Sequence, residues 1–172
     1  MSLSKGKRIH YNPIGVIHSP FKQLVGIPIQ TAFSKDGEGT VELFPQFKQG
    51  LKDLEGFSHI ILIYHFHKSK GYNLLCRPFL DKAKRGLFAT RAPSRPNPIG
   101  LSIVRLQGIN DNVLQVSSLD VIDGTPLIDI KPHIPQFDSP KEVKVGWFEK
   151  AFRKKHSTIV SDSRFVEGET EE

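Results

Sequence analysis

The chain has 172 residues, 38% hydrophobic and 24% charged, with 24 Lys and Arg against 18 Asp and Glu for a formal net charge of +6. That length buries one sizeable core but not two full domains, and the balance excludes both a disordered polyelectrolyte and a helical membrane protein, since no run reaches the ~18 apolar residues of a spanning helix. A single cysteine, Cys76, excludes an intrachain disulfide and a zinc site built from cysteine pairs, so a reducing cytoplasm is expected, and the basic excess favours polyanionic partners.

In chain order, short apolar runs rich in branched residues alternate with Gly, Pro, Asn and Asp, the pattern of strands and turns. Strands are predicted over 14–19, 40–44, 58–66, 86–91, 101–109, 113–122 and 126–131. Between the second and third, Phe47, Leu51 and Leu54 recur at helical spacing before Gly56, which predicts one short helix; a second is predicted near Trp147. The run 58–66 is apolar on both faces and reads as a central strand. Asn110, Asp111 and Asn112 tolerate left-handed backbone and should turn the strands on either side into an antiparallel hairpin. The expected fold class is mainly β, with seven strands suggesting a barrel or a sandwich and one or two short helices. Residues 1–160 form the expected domain, and 161–172 an acidic, mobile tail.

Four segments could carry chemistry. In FATRAPSRPNPIG, three prolines stiffen a loop that presents Arg91, Arg95 and Asn97; the guanidiniums can clamp a carboxylate or phosphate, or equally pair with acids in a rigid turn. In DVIDGTPLIDIK, the Asp123-Gly124-Thr125 turn offers backbone N–H groups and a hydroxyl. Strand alternation then sends Ile128 and Ile130 to the core and Asp129 and Lys131 to the other face, free for a substrate or for each other. His59, His65 and His67 share a strand face, where hydrogen bonding competes with metal ligation; no H-E-x-x-H accompanies them and no metal is expected. In HSPFKQLVGIPIQ, Phe21 suits either stacking on an adenine or core packing. No G-x-G-x-x-G or P-loop pattern is present, so a nucleotide-like cofactor would have to bind on a β scaffold.

Taken together and in this order, IGVIHSPF, DLEGFSHIILIYHFHK, FATRAPSRPNPIGLS and LDVIDGTPLIDIKPHIP resemble the TrmO (TsaA-like) family of tRNA adenosine N6-methyltransferases, over roughly residues 14–135. The resemblance implies a single antiparallel β-barrel that binds S-adenosyl-L-methionine, acts as a homodimer on tRNA, and methylates the N6 of threonylcarbamoyl-adenosine next to the anticodon. It implies cofactor contacts at Pro28, Ile29, Gln30, His67, Lys68, Arg91, Leu101, Asp123, Gly124 and Thr125. The chain departs from the family pattern at Ile29, where a basic residue is common, at Ala92, where Ser is common, and at His133, where Tyr is common.

In such a reaction the acceptor amine must shed a proton, and Asp129 or a backbone carbonyl of the proline loop is the expected acceptor, with Lys131 expected at the RNA and Arg95 and Asn97 at the RNA or the dimer seam. Two rivals share the sequence features. A non-enzymatic RNA-binding barrel needs the basic charge but no cofactor cavity, and a metal-dependent hydrolase would use His65 and His67.

Overall fold

The computed structural model describes residues 8–34, 37–152 and 160–165. Six strands close into an antiparallel barrel: β1 (Gly15–His18), β2 (Gly39–Leu43), β3 (His59–His65), β6 (Ile99–Asn110), β7 (Val113–Ser117) and β8 (Thr125–Pro132), in the order β1-β2-β7-β6-β3-β8. The two-residue strands β4 (Leu75–Cys76) and β5 (Arg85–Gly86) pair outside it. A one-turn helix, α1 (Pro135–Asp138), follows the barrel, and α2 (Trp147–Phe152) is the helix expected near Trp147.

Period-two alternation fills the barrel. Ile17, Val41, Ile60, Leu62, Val104, Leu114, Val116 and Leu127 point inward and are fully buried, removing most of their apolar surface from water. The outward residues of β3, Ile61 and Ile63, are only half-buried, so the run that looked covered on both faces is covered fully on one. The β6–β7 hairpin turns through Asp111 and Asn112, with Asp111 in the left-handed region at φ 57° and Asn110 opposite Val113. A closed barrel has no edge strand to protect, since each strand has a partner on both sides.

Local departures from the expected elements each have a cause. Residues 47–57 form two 3-10 turns, Pro45–Leu51 and Leu54–Gly56, because Asp53 takes φ 67° between them and breaks helical continuity. Residues 86–91 are not a seventh barrel strand, since the closed barrel leaves no ladder for them; Leu87–Ala89 make a 3-10 turn that buries Leu87 and leaves Phe88 74% exposed. The strand expected to run to residue 122 stops at Ser117, where Ser118 at φ 66° turns the chain away. In β8 the pairing slips, with Tyr64 opposite Leu127 but Ile63 opposite Asp129, so Ile128 is the bulged residue and Leu127 takes the core position expected for it.

Residues 161–165, expected in a solvated tail, are docked. Val160 bridges Pro28, Ser161 exchanges backbone bonds with Gly26 and Ile27, and the Ser161 hydroxyl donates to Leu24 O while accepting from Ile27 N–H. Arg164 donates to Pro78 O and lies 5.1 Å over the Phe79 ring, and Phe165 meets Phe79 edge to face beside a second small core of Cys76, Leu87 and Ala92. The rest of that tail, 166–172, lies outside the described residues.

Candidate active site

At one end of the barrel the loops leave a cavity of about 360 Å³, walled mainly by apolar surface and bounded by residues from 27–30, 66–69, 90–95 and 120–125. This volume is in the ~300–1,000 Å³ range of small-molecule sites. Its floor is the mouth of the barrel. There Gly100 faces Tyr64 so closely that a Cβ would come within 2.2 Å of the ring, so glycine is what lets the Tyr64 side chain lie between barrel and cavity.

A polar chain crosses this floor. The Tyr64 and Ser102 hydroxyls are 2.9 Å apart, and Ser102 donates to Asp120 Oδ1 at 2.5 Å. Burial pushes the Asp120 carboxyl up to about 6, against the opposing pull of the Ser102 hydrogen bond, backbone N–H groups and Arg91. Burial first, and then the Asp120 charge, push the Tyr64 hydroxyl far above its ordinary value, so it stays protonated. His67 is held below the usual imidazole range by desolvation and by Lys68, which keeps it neutral near pH 7. Its Nδ1 is buried without a hydrogen-bond partner, a cost a protein seldom carries unless a ligand or water meets it.

Nine of the predicted site residues border this space: Pro28, Ile29, Gln30, His67, Lys68, Arg91, Arg95, Leu101 and Thr125. Arg91 Nη1 donates to Gln30 Oε1 at 2.7 Å, which joins two of the walls and leaves Arg91 exposed toward the opening. Arg95 is occupied differently. Its Nη1 donates to Thr90 O at 3.0 Å and reaches Ala92 O and Leu87 O at 3.4 and 3.5 Å, and its guanidinium lies 5.8 Å over Phe88, so it fastens the proline loop from within.

Five predicted residues lie off the cavity lining. The Asp123 carboxylate accepts from Ser19 N–H at 3.0 Å and pairs with Lys22 at 2.7 Å, partners that hold it below its ordinary range. Gly124, at φ 75°, donates its N–H to Ile17 O. This turn latches the end of β1, while the neighbouring Thr125 donates to Ile122 O at 2.6 Å and is buried. Asn97 is exposed and does not border the cavity. Asp129 and Lys131 pair with each other at 2.8 Å on the outer face of β8, which places the expected proton acceptor away from the cavity. The histidines also part company: His59 meets Ser58 and His133, His65 is exposed, and a turn carries His67 into the cavity wall.

Sequence reasoning missed Asp120, Ser102 and Tyr64, and also Ser161 and Phe165, which border the cavity from the docked segment. A signal existed for the first group. Ser102 sits in the inward series Gly100, Ser102, Val104, Leu106 and Tyr64 in the inward series Ile60, Leu62, Tyr64, and polar groups at core positions of neighbouring strands demand partners.

Residues 16–139 match the family model described as the tRNA-methyltransferase O N-terminal domain. The chain is 57% identical to a probable S-adenosyl-L-methionine-binding protein of Pyrococcus abyssi, over 85% of this chain and 79% of that one. It is 35% identical to the tRNA (adenine(37)-N6)-methyltransferase of Escherichia coli, over 82% of this chain and 64% of the relative. A crystal structure of TrmO from Pseudomonas aeruginosa superposes with a TM-score of 0.69 at 38% identity, over 82% of this chain and 63% of that one. The chain thus spans a little under two thirds of these last two proteins. With a barrel of matching fold and a family match across most of its length, this chain belongs to the tRNA-methyltransferase O family.

Proposed function

We propose that this chain binds S-adenosylmethionine in the barrel-end cavity and transfers its methyl group to N6 of the adenosine at position 37 of a tRNA, with the threonylcarbamoylated adenosine as the preferred form. The observation that carries this reading is the cavity itself, in a chain of this family: about 360 Å³, apolar walls, Arg91 at the opening and an unpartnered His67 Nδ1. Those residues fit the cofactor. Ile29 and Leu101 offer apolar surface to an adenosine, His67 Nδ1 offers a hydrogen bond, and Arg91 offers paired donors to a carboxylate. Bound there, S-adenosylmethionine supplies an electrophilic methyl carbon on a sulfonium.

The chain's own part is to hold the donor in a dry pocket and align the incoming base, which needs no covalent nucleophile. Lys68 and Arg91 border the opening, where RNA phosphates would pass while the target base leaves its stack. A homodimer acting in the cytoplasm belongs to the same reading; among the described residues no helix is long and apolar enough to cross a membrane.

The test is methylation of two tRNAs with labelled S-adenosylmethionine, one carrying threonylcarbamoyl-adenosine at position 37 and one carrying plain adenosine, read by nucleoside mass spectrometry. A one-methyl gain on the first and none on the second is expected. Tight tRNA binding with no methyl gain on either would favour the non-enzymatic RNA-binding barrel.

A further inference from the structure

The charges around the cavity are lopsided. Lys68, Arg91 and Arg95 border it, whereas Asp120 is the one carboxylate among the described residues that does. A donor whose reactive centre is a cation is repelled by such a surround unless an anion faces it. Asp120 is built to be that anion. It is half-buried at the floor, one oxygen is fixed by the Ser102 hydroxyl, and backbone N–H groups of residues 31 and 120 hold the carboxylate in place. The Tyr64 and Ser102 hydroxyls share one hydrogen bond, and the second O–H needs an acceptor, but a neutral oxygen would serve the barrel as well as a carboxylate.

We propose that Asp120 recognises the positive charge of the donor, and so sets the preference of this cavity for the sulfonium S-adenosylmethionine over its uncharged thioether product, S-adenosylhomocysteine. The inference rests on the cofactor reading above. After transfer the sulfur is neutral, the attraction to Asp120 is lost, and the spent ligand leaves more readily. Because Asp120 gives up its proton only near pH 6 in the free chain, a bound cation must draw it to the ionised form, and binding releases a proton. The groups facing Asp120 are Tyr64 from β3, Ser102 from β6, Arg91 from the proline loop and the backbone N–H of Thr31. Tyr64, held far above its ordinary value, does not change charge between pH 5 and 8. His67 borders the same cavity and does titrate below its usual range, so the Asn variant at position 120 is the necessary control.

The experiment is calorimetry of the full chain with each ligand alone, without tRNA, at pH 6.0 and 7.5 in two buffers of different ionisation enthalpy. Wild type is expected to release about half a proton on binding S-adenosylmethionine at pH 6.0 and less on binding S-adenosylhomocysteine. Asp120→Asn should abolish the difference in proton release and shift the ratio of the two dissociation constants by about tenfold toward the thioether. Ser102→Ala removes a hydrogen bond that favours the ionised carboxylate, so proton release should persist to higher pH. An unchanged ratio in a folded Asp120→Asn protein, with Asp120→Glu equally indifferent, overturns the proposal while leaving the cofactor site intact. If wild type binds neither ligand, it is the cofactor reading that fails.

Discussion

The barrel interior and the cavity at its mouth are built on opposite principles. Inside, Ile17, Leu62, Leu114 and Leu127 exclude water completely and place no demand on one another beyond shape. At the mouth, segments without regular structure are held by a few polar contacts: Arg91 to Gln30, Arg95 to three carbonyls, Ser161 to residues 24 and 27, and Asp120 to Ser102. The interior gains stability from burial, whereas the mouth gives some back by burying a carboxylate and leaving His67 Nδ1 unpaired. Stability and ligand binding should therefore respond to different substitutions.

The largest effect should come from the interior. Leu62→Ala deletes a fully buried side chain in the middle of β3, and should cost about 2–5 kcal/mol in urea unfolding. Ligand affinity of the fraction that remains folded should change little. A large affinity loss with intact stability would dissolve the distinction between the two regions.

Next comes the cost of the mouth. Asp120 takes up its proton near 6 in the folded chain and near its ordinary 3.8 when unfolded, so between these values the folded state holds a proton that the unfolded state has lost. Its contribution is therefore present below about pH 4 and is lost as pH rises through 6, a decline of up to about 3 kcal/mol. An Asn at position 120 does not titrate. The stability of Asp120→Asn relative to wild type should rise by that amount between pH 4 and 7, measured in parallel urea titrations; a flat difference would mean the carboxylate is not desolvated.

This contrast also explains what was legible in the sequence. Short branched-rich apolar runs bounded by turn residues announced the six barrel strands, and Asn110-Asp111-Asn112 announced the hairpin, because burial and backbone sterics act on neighbouring residues. The run 86–91 had strand composition but no barrel ladder to join, and closure of a barrel is a global fact that no local window contains. The bulge at Ile128 inverted the parity of its strand end for the same reason. Nine of the site residues offered by motif or resemblance do meet at the cavity, yet Asp129 and Asp123 find partners a few ångströms away, in Lys131, Ser19 and Lys22. Asp120 went unnoticed because it lies in the irregular segment past β7: the β6–β7 hairpin returns it to Ser102, and the pairing of β6 with β3 adds Tyr64 to the group.

A smaller effect separates the two arginines of the proline loop. Arg91→Ala leaves the loop's own bonds in place and removes a donor from the opening, so the dissociation constant for S-adenosylmethionine should rise about tenfold with little change in melting temperature. Arg95→Ala instead unties carbonyls of residues 87, 90 and 92, and should lower the melting temperature more than the affinity. The reverse ranking would move the cofactor's anionic end from Arg91 to Arg95.

The smallest effect is expected at Asp129. Its carboxylate and the Lys131 ammonium are half-exposed on the barrel's outer face, and such pairs contribute about 0–1 kcal/mol once solvent screening and side-chain entropy are counted. Asp129→Ala should therefore change stability by less than about 1 kcal/mol and leave the methyl-transfer rate at saturating ligand unaltered. A rate loss of a hundredfold or more with normal S-adenosylmethionine binding would mean that the reacting base approaches over the outer face of β8. Proton uptake would then belong to Asp129, as its sequence position first suggested.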